Sequence, residues 1–144
     1  MRVLPSVATL IFAVWTLGTL VCVVAGWPAQ FGGPGNPDEV AMEFLSRGTA
    51  LSPPSWLMVA LVMFALLARS SRWWGTLGVV GLCPLAVVTF IGSLGEAFAP
   101  ATPDVPRAVL VSCGVLGAVL CPTLLASGVA DLIARVRAAE HPSR

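Results

Sequence analysis

The residues in this sequence that could do chemistry are few and widely spaced. Glu96, in Ser93-Leu94-Gly95-Glu96, is the ionisable group nearest to membrane depth, just past the end of a long apolar block. Ionisable side chains within a bilayer are costly, and where they occur they mark ligand sites, relays or transport paths. Glu96 is therefore the first candidate for ligand binding, facing a cavity open to the outside, with Arg107 across the same loop or a cationic ligand as its expected partner. The competing expectation is that it only meets water at the headgroups, in which case Glu96→Gln would leave every activity intact.

Cys22, Cys83, Cys113 and Cys121 all fall inside apolar blocks, where thiols are expected to stay reduced. Two of them close similar phrases, Gly78-Val79-Val80-Gly81-Leu82-Cys83-Pro84 and Gly114-Val115-Leu116-Gly117-Ala118-Val119-Leu120-Cys121-Pro122. Each proline removes one backbone donor and can kink its helix, freeing the carbonyl of Val80 or Ala118 to line a cavity. Counting ~1.5 Å per residue from Trp74 and from Asp131 puts the two Cys-Pro steps at one depth. Cys83, Pro84, Cys121 and Pro122 thus join Glu96 as candidate ligand-binding positions, against the plainer reading that such residues recur by chance in transmembrane helices.

Several reactions can be set aside. The single histidine, His141, lies in a polar tail, so no Cys/His cluster has metal-ligand spacing, and no cofactor is expected. A quinone-coupled disulfide oxidase would need a Cys-x-x-Cys pair, and nucleophilic hydrolysis would need a histidine beside a serine. Gly32-Gly33-Pro34-Gly35 lacks the following Lys-Ser/Thr of a phosphate loop. No catalytic residue is assigned, and the balance leans away from an enzyme.

The elements that must position these residues follow from composition. The 144 residues are 57% hydrophobic and 10% charged, with mean hydropathy +0.90, which places the chain in lipid rather than water. Its net charge of +1, without a basic run, gives no footprint for nucleic acid. All basic residues are arginine, and Ala, Val, Gly and Pro abound, as in GC-rich bacterial genomes. A bacterial inner (plasma) membrane is expected.

The apolar blocks predict an all-α integral membrane protein in one domain, 1–144, built as a four-transmembrane-helix bundle. Spans are expected at about 3–25, 55–72, 74–94 and 108–131, with an outer loop at 26–54 and a cytoplasmic tail at 132–144. The first block could also be a secretory signal cleaved before Gly26, but its apolar run is longer than a signal needs, so it is read as an anchor. The second block is short unless Arg69 snorkels and the helix continues to Arg72. Within the outer loop, Asn36 can cap a short amphipathic helix with Pro37 first, Glu39 reaching back, Val40, Ala41, Phe44 and Leu45 on one face, and Gly48 as its stop.

Placing both termini inside puts Arg2, Arg69, Arg72, Arg135, Arg137 and Arg144 on the cytoplasmic side and only Arg47 and Arg107 outside, as the positive-inside rule asks. Arg69, Arg72, Trp73 and Trp74 then form an inner hairpin suited to lipid headgroups. Gly18, Cys22 and Gly26, and likewise Gly114 and Ala118, recur every fourth residue and are expected to let helices approach closely. With so little chemistry, the first expectation is a non-enzymatic structural or accessory subunit whose partners are membrane lipids and a membrane protein or a second copy. The alternative is a small transporter or hydrophobic-ligand-binding protein, with a cavity near Glu96 and the Cys-Pro kinks.

Overall fold

The computed structural model describes residues 3–70 and 73–140. Every regular element among them is helical: α1 (Val3–Ala25), a 3-10 turn (Pro37–Glu39) running into α2 (Val40–Ser46), α3 (Ser55–Ala68), α4 (Trp73–Phe98) and α5 (Arg107–Glu140). α1, α4 and α5 are long and apolar enough to cross a membrane, and α3 is apolar but shorter. Only 28 to 39% of the most apolar stretch of each long helix is buried inside the protein. Leu10, Leu17, Leu20 and Val24 on α1, and Val115 and Val119 on α5, lie exposed. An apolar exterior of this extent is not sustained by a protein in water; it marks the chain as a helical membrane protein.

α1 packs on α3 and on α5, α3 on α4, and α4 on α5, so the four longer helices close a ring. Contacts between their ends fix the directions. Gln30, just beyond α1, bonds Glu96 near the end of α4, and Arg107 at the start of α5 bonds the Ala99 carbonyl. Arg135, near the end of α5, bonds the carbonyls of Ala68 and Ser70 at the end of α3. One end of the ring, the loop end, therefore carries the ends of α1 and α4 and the starts of α3 and α5. The other, the tail end, carries their opposites.

Lipid tails are as apolar as leucine, so helices in a bilayer associate through close packing rather than expulsion of water. Glycine supplies the closeness here. A Cβ at Gly78 would overlap the backbone of Phe64, Leu67 and Ala68, and one at Gly81 the Phe64 ring, which brings α4 against α3 backbone to backbone. Between α4 and α5, Gly114 sits on Ala97, Gly117 on Ser93 and Gly128 on the Cys83 sulfur. The close ridge on α5 is thus Gly114 and Gly117, whereas Ala118 of the expected pair faces outward. The α1 ridge packs on the outer loop: Gly18 touches Leu51, Cys22 is buried with Ala50 and Val105, and Gly26 ends the helix at φ +69°.

Leu4, Ile11 and Trp15 of α1, Leu57 and Leu61 of α3, Val79 and Leu82 of α4, and Leu124 of α5 share one core. Three boundaries differ from the sequence reading. α3 stops at Ala68, with the Arg69 N–H folding back to the carbonyls of Leu66 and Leu67; Arg72 lies outside the described residues. α4 continues a turn past residue 94 to Phe98, which takes Glu96 inside the helix, and α5 continues past Asp131 to Glu140. Asn36 caps the loop helix as expected, its side chain accepting from the Asp38 N–H. The acid that reaches back is Glu43 rather than Glu39, its Oε1 accepting the Asn36 N–H at 3.0 Å. The intervening 3-10 turn shifts the register, and it leaves Val40 and Phe44 facing the bundle with Ala41 and Leu45 outside.

Candidate functional site

The unequal lengths of α3 and α4 create the site. Phe64 lies over Gly78 and Gly81, and the helices run in opposite directions, so Ser55, the first residue of α3, is level with the neighbourhood of Phe90. From there α4 runs on for about eight residues, or ~12 Å, with no helix of the α3 side beside it. The gap is covered by irregular chain from Arg47 to Pro54 and by Phe31, and it is not filled. A cavity of about 310 Å³ remains, walled by Trp15, Leu57, Thr89, Gly92, Ser93, Glu96, Cys113 and Gly117 together with those loop residues.

The loop is folded tightly enough to serve as a wall. The Trp27 N–H caps α1 by bonding the Cys22 carbonyl at 2.9 Å, and its own carbonyl accepts the Ala50 N–H. Pro28 and Thr49 pair as an isolated antiparallel bridge, and a turn at Gly32 and Gly33, both at positive φ, reverses the chain. The Phe31 ring lies on Gly95, where any side chain on α4 would displace it. Arg47 ties the two limbs together: its Nη2 donates to the carbonyls of Gly33 and Phe31, and its Nη1 stands 3.8 Å from Glu43.

Glu96 is 7% exposed and is the one charged side chain buried among the described residues. Its carboxylate holds the loop. The Gln30 N–H donates to both oxygens, at 3.1 Å to Oε1 and 2.9 Å to Oε2, and the Phe31 N–H donates to Oε1 at 3.0 Å. These two amides belong to irregular chain that has no strand or helix to bond with, Gln30 buried and Phe31 at its edge, so they complement the negative charge and are themselves satisfied. Arg107, the partner expected from sequence, is turned away to the Ala99 carbonyl at 2.7 Å. The expectation that Glu96 sits in headgroup water is likewise corrected, because the loop folds over it.

The hydroxyls around the cavity are anchored from behind. Thr89 Oγ1 donates to the Leu85 carbonyl at 2.7 Å and Ser93 Oγ to that of Thr89 at 3.0 Å. Thr19 Oγ1 lies 2.8 Å from Ser52 Oγ, which is 2.8 Å from Thr49 Oγ1. With their protons committed to backbone, Thr89 and Ser93 present lone pairs as acceptors.

The other sequence candidates stand apart from this cavity. Cys83 faces Gly128 while Gly117 faces Ser93, so Cys121 is level with Phe90 and about 10 Å along the bundle from Cys83. The two Cys-Pro steps therefore do not share a depth, and neither Cys83, Pro84, Cys121 nor Pro122 lines the cavity. Pro84, Pro122 and the residues whose carbonyls they release, Val80 and Ala118, face outward. At the tail end, the rings of Trp73 and Trp74 stack with centroids 3.9 Å apart and both are exposed, and Arg69 terminates α3.

Sequence reasoning missed Phe31, Arg47, Thr49, Ser52, Thr89 and Ser93. For two of these a signal was present: Thr89, Ser93 and Glu96 recur at spacings of four and three and make one polar stripe on an otherwise apolar helix. Compared with protein-family models, curated proteins and solved structures, the chain matches none, so the chemistry of the cavity has to carry the functional argument.

Proposed function

We propose that this chain is a four-span inner-membrane protein of bacterial type, with both termini cytoplasmic, that binds a small amphipathic molecule in the cavity beside Glu96. The cavity is what carries the reading: the one buried charge among the described residues lines open space of about 310 Å³ instead of packed side chains. That volume lies at the lower edge of small-molecule sites. Its wall is mostly apolar, with Glu96, Arg47 and four hydroxyl-bearing residues for orientation. The space favours the ligand-binding alternative over a purely structural subunit. Binding is favoured over conduction because the shared core, from Leu4 to Leu124, fills the ring below the cavity.

Four spans require α3 to cross as well. Its 14 residues reach ~21 Å, short of a ~30 Å hydrocarbon layer, and Arg69 at one end with Pro53-Pro54 at the other let the span be completed by snorkelling and local thinning. The arginine count supports the orientation, with the tail end inside. Single cysteines at Asn36 and Arg69, in a background lacking the native thiols, check it. An impermeant reagent should label the first in intact cells and the second only after lysis, and labelling of both from one side overturns the topology. For the function, mass spectrometry of protein purified in native lipid should find a retained amphiphile. A stoichiometric protein partner with no small molecule would return the reading to an accessory subunit.

A further inference from the structure

The carboxylate of Glu96 is incompletely used. Each carboxylate oxygen accepts about two hydrogen bonds; Oε1 takes two donors and Oε2 one. Among the described residues no ion pair involves it, since the two present are Arg47 with Glu43 and Arg135 with Asp131. Its hydrogen-bond donors are neutral amides, and Arg47, the cation that acts on it through space, is itself bonded to Phe31, Gly33 and Glu43, so the carboxylate keeps room for a cation bonded to it directly. The rest of the wall agrees. Trp15 and Phe31 offer aromatic rings, whose faces attract ammonium groups, and the hydroxyls of Thr89 and Ser93 are turned so that they accept.

The route in is also visible. Val88 and Ile91 line the cavity yet are more than half exposed on the outer face of α4, beside the first turn of α3 and just beyond it. The cavity therefore opens sideways toward lipid as well as at the loop end. An apolar chain could leave through that gap while a polar head stays inside.

We infer that the ligand carries a primary ammonium group on an apolar chain, the ammonium seated on Glu96 with an N–H bond shared by Ser93, one turn below, and the chain passing along Thr89 and out over Val88 and Ile91. This rests on the cavity being a binding site. The ammonium can come from an aminophospholipid of the bilayer, whose phosphate would then meet Arg47, or from a free long-chain amine.

The full chain in nanodiscs separates these. Discs of phosphatidylcholine are doped with phosphatidylethanolamine, phosphatidylglycerol or dodecylamine, and lipids retained on the protein are counted by native mass spectrometry. Retention of one phosphatidylethanolamine per chain, at least tenfold over the other two phospholipids, supports a lipid source; retention of dodecylamine alone supports a free amine. Glu96→Gln keeps an acceptor for Gln30 and Phe31 and should level the preference, and Gly92→Leu, which fills the space and leaves Glu96 in the chain, should abolish retention. Equal retention of phosphatidylglycerol or phosphatidylcholine, or a preference unchanged by Glu96→Gln, overturns the ammonium and leaves the cavity as a site. If nothing is retained on the parent protein, the binding-site reading falls as well.

Discussion

Gly92→Leu fills the empty space while removing no hydrogen-bonding group of the site. Gly92 lies within α4, and a Cβ built on it meets no atom within 4 Å, because the residue borders the cavity. Leucine adds four carbons, roughly 120 Å³ at about 30 Å³ for each water-sized group, against a cavity of about 310 Å³. A ligand would lose more than a third of its room. The fold should gain, since replacing a helical glycine removes an entropic cost of about 0.5–1 kcal/mol, equivalent to a rise of about 2–5 °C in Tm for a chain of this size. Tryptophan fluorescence on heating gives the stability, and ligand retained per chain gives the occupancy. Unchanged or raised Tm with occupancy down tenfold or more is the expected pair of results. A lowered Tm would mean that the space is already occupied by protein, and parental occupancy at parental Tm would mean that the ligand sits elsewhere; either result refutes the assignment. Gly95→Leu, one turn along the same helix, is the contrast: it strikes the Phe31 ring and should lower stability.

The loop clamp predicts that Glu96→Leu strands two amide donors, one of them on the 4%-exposed Gln30, at about 1–3 kcal/mol each. Limited proteolysis should then cut between residues 30 and 36, whereas Glu96→Gln, costing about 1 kcal/mol by exchanging a charged acceptor for a neutral one, should remain resistant; equal resistance of all three proteins would dismiss the clamp. Gly78→Leu should destabilise by about 1–3 kcal/mol or more, because the clash is with the backbone of α3, which cannot turn aside; a parental Tm would refute a backbone-to-backbone contact between α3 and α4. Arg135 bonds Asp131, Ala68 and Ser70 at once, so Arg135→Ala should cost about 1.5–3 kcal/mol. Arg135→Lys should recover only part of that, since one ammonium lacks the fork that spans three acceptors, and full recovery in a melting experiment would reduce the contact to its charge.

The parts legible from sequence were those with local causes. α1 was bounded by its apolar run and by Gly26, the loop helix by Asn36 and Gly48, and the starts of α3 and α5 by the prolines before them. The parts that were not legible depend on pairing between distant segments. Glu96 meets residues 65 and 66 positions away, and nothing in the wording of either segment names the other. The matching depth of the two Cys-Pro steps failed for a related reason: the count began at Trp74 and Asp131 as if they were level, whereas glycine contacts place Gly75 beside Arg135. Register between helices is set by where backbones can touch, and small residues are too common in apolar helices for the touching ones to be picked out beforehand. A regular helix from Pro37 would make Glu39 the reaching acid, and one turn of 3-10 geometry gives the role to Glu43, four residues on.

The brevity of α3 reaches beyond the protein itself. In the proposed four-span arrangement, lipid around α1, α4 and α5 meets a hydrophobic wall at least as tall as its own tails, but on the α3 flank that wall drops by about a third. The acyl chains there must shorten, tilt or bend inward, so the membrane should be dimpled on one side of the molecule only. A one-sided dimple attracts lipids with short or kinked tails and draws together other proteins that thin the bilayer in the same way. The flank that gives access to the interior would thus also determine the company the protein keeps in the plane of the membrane.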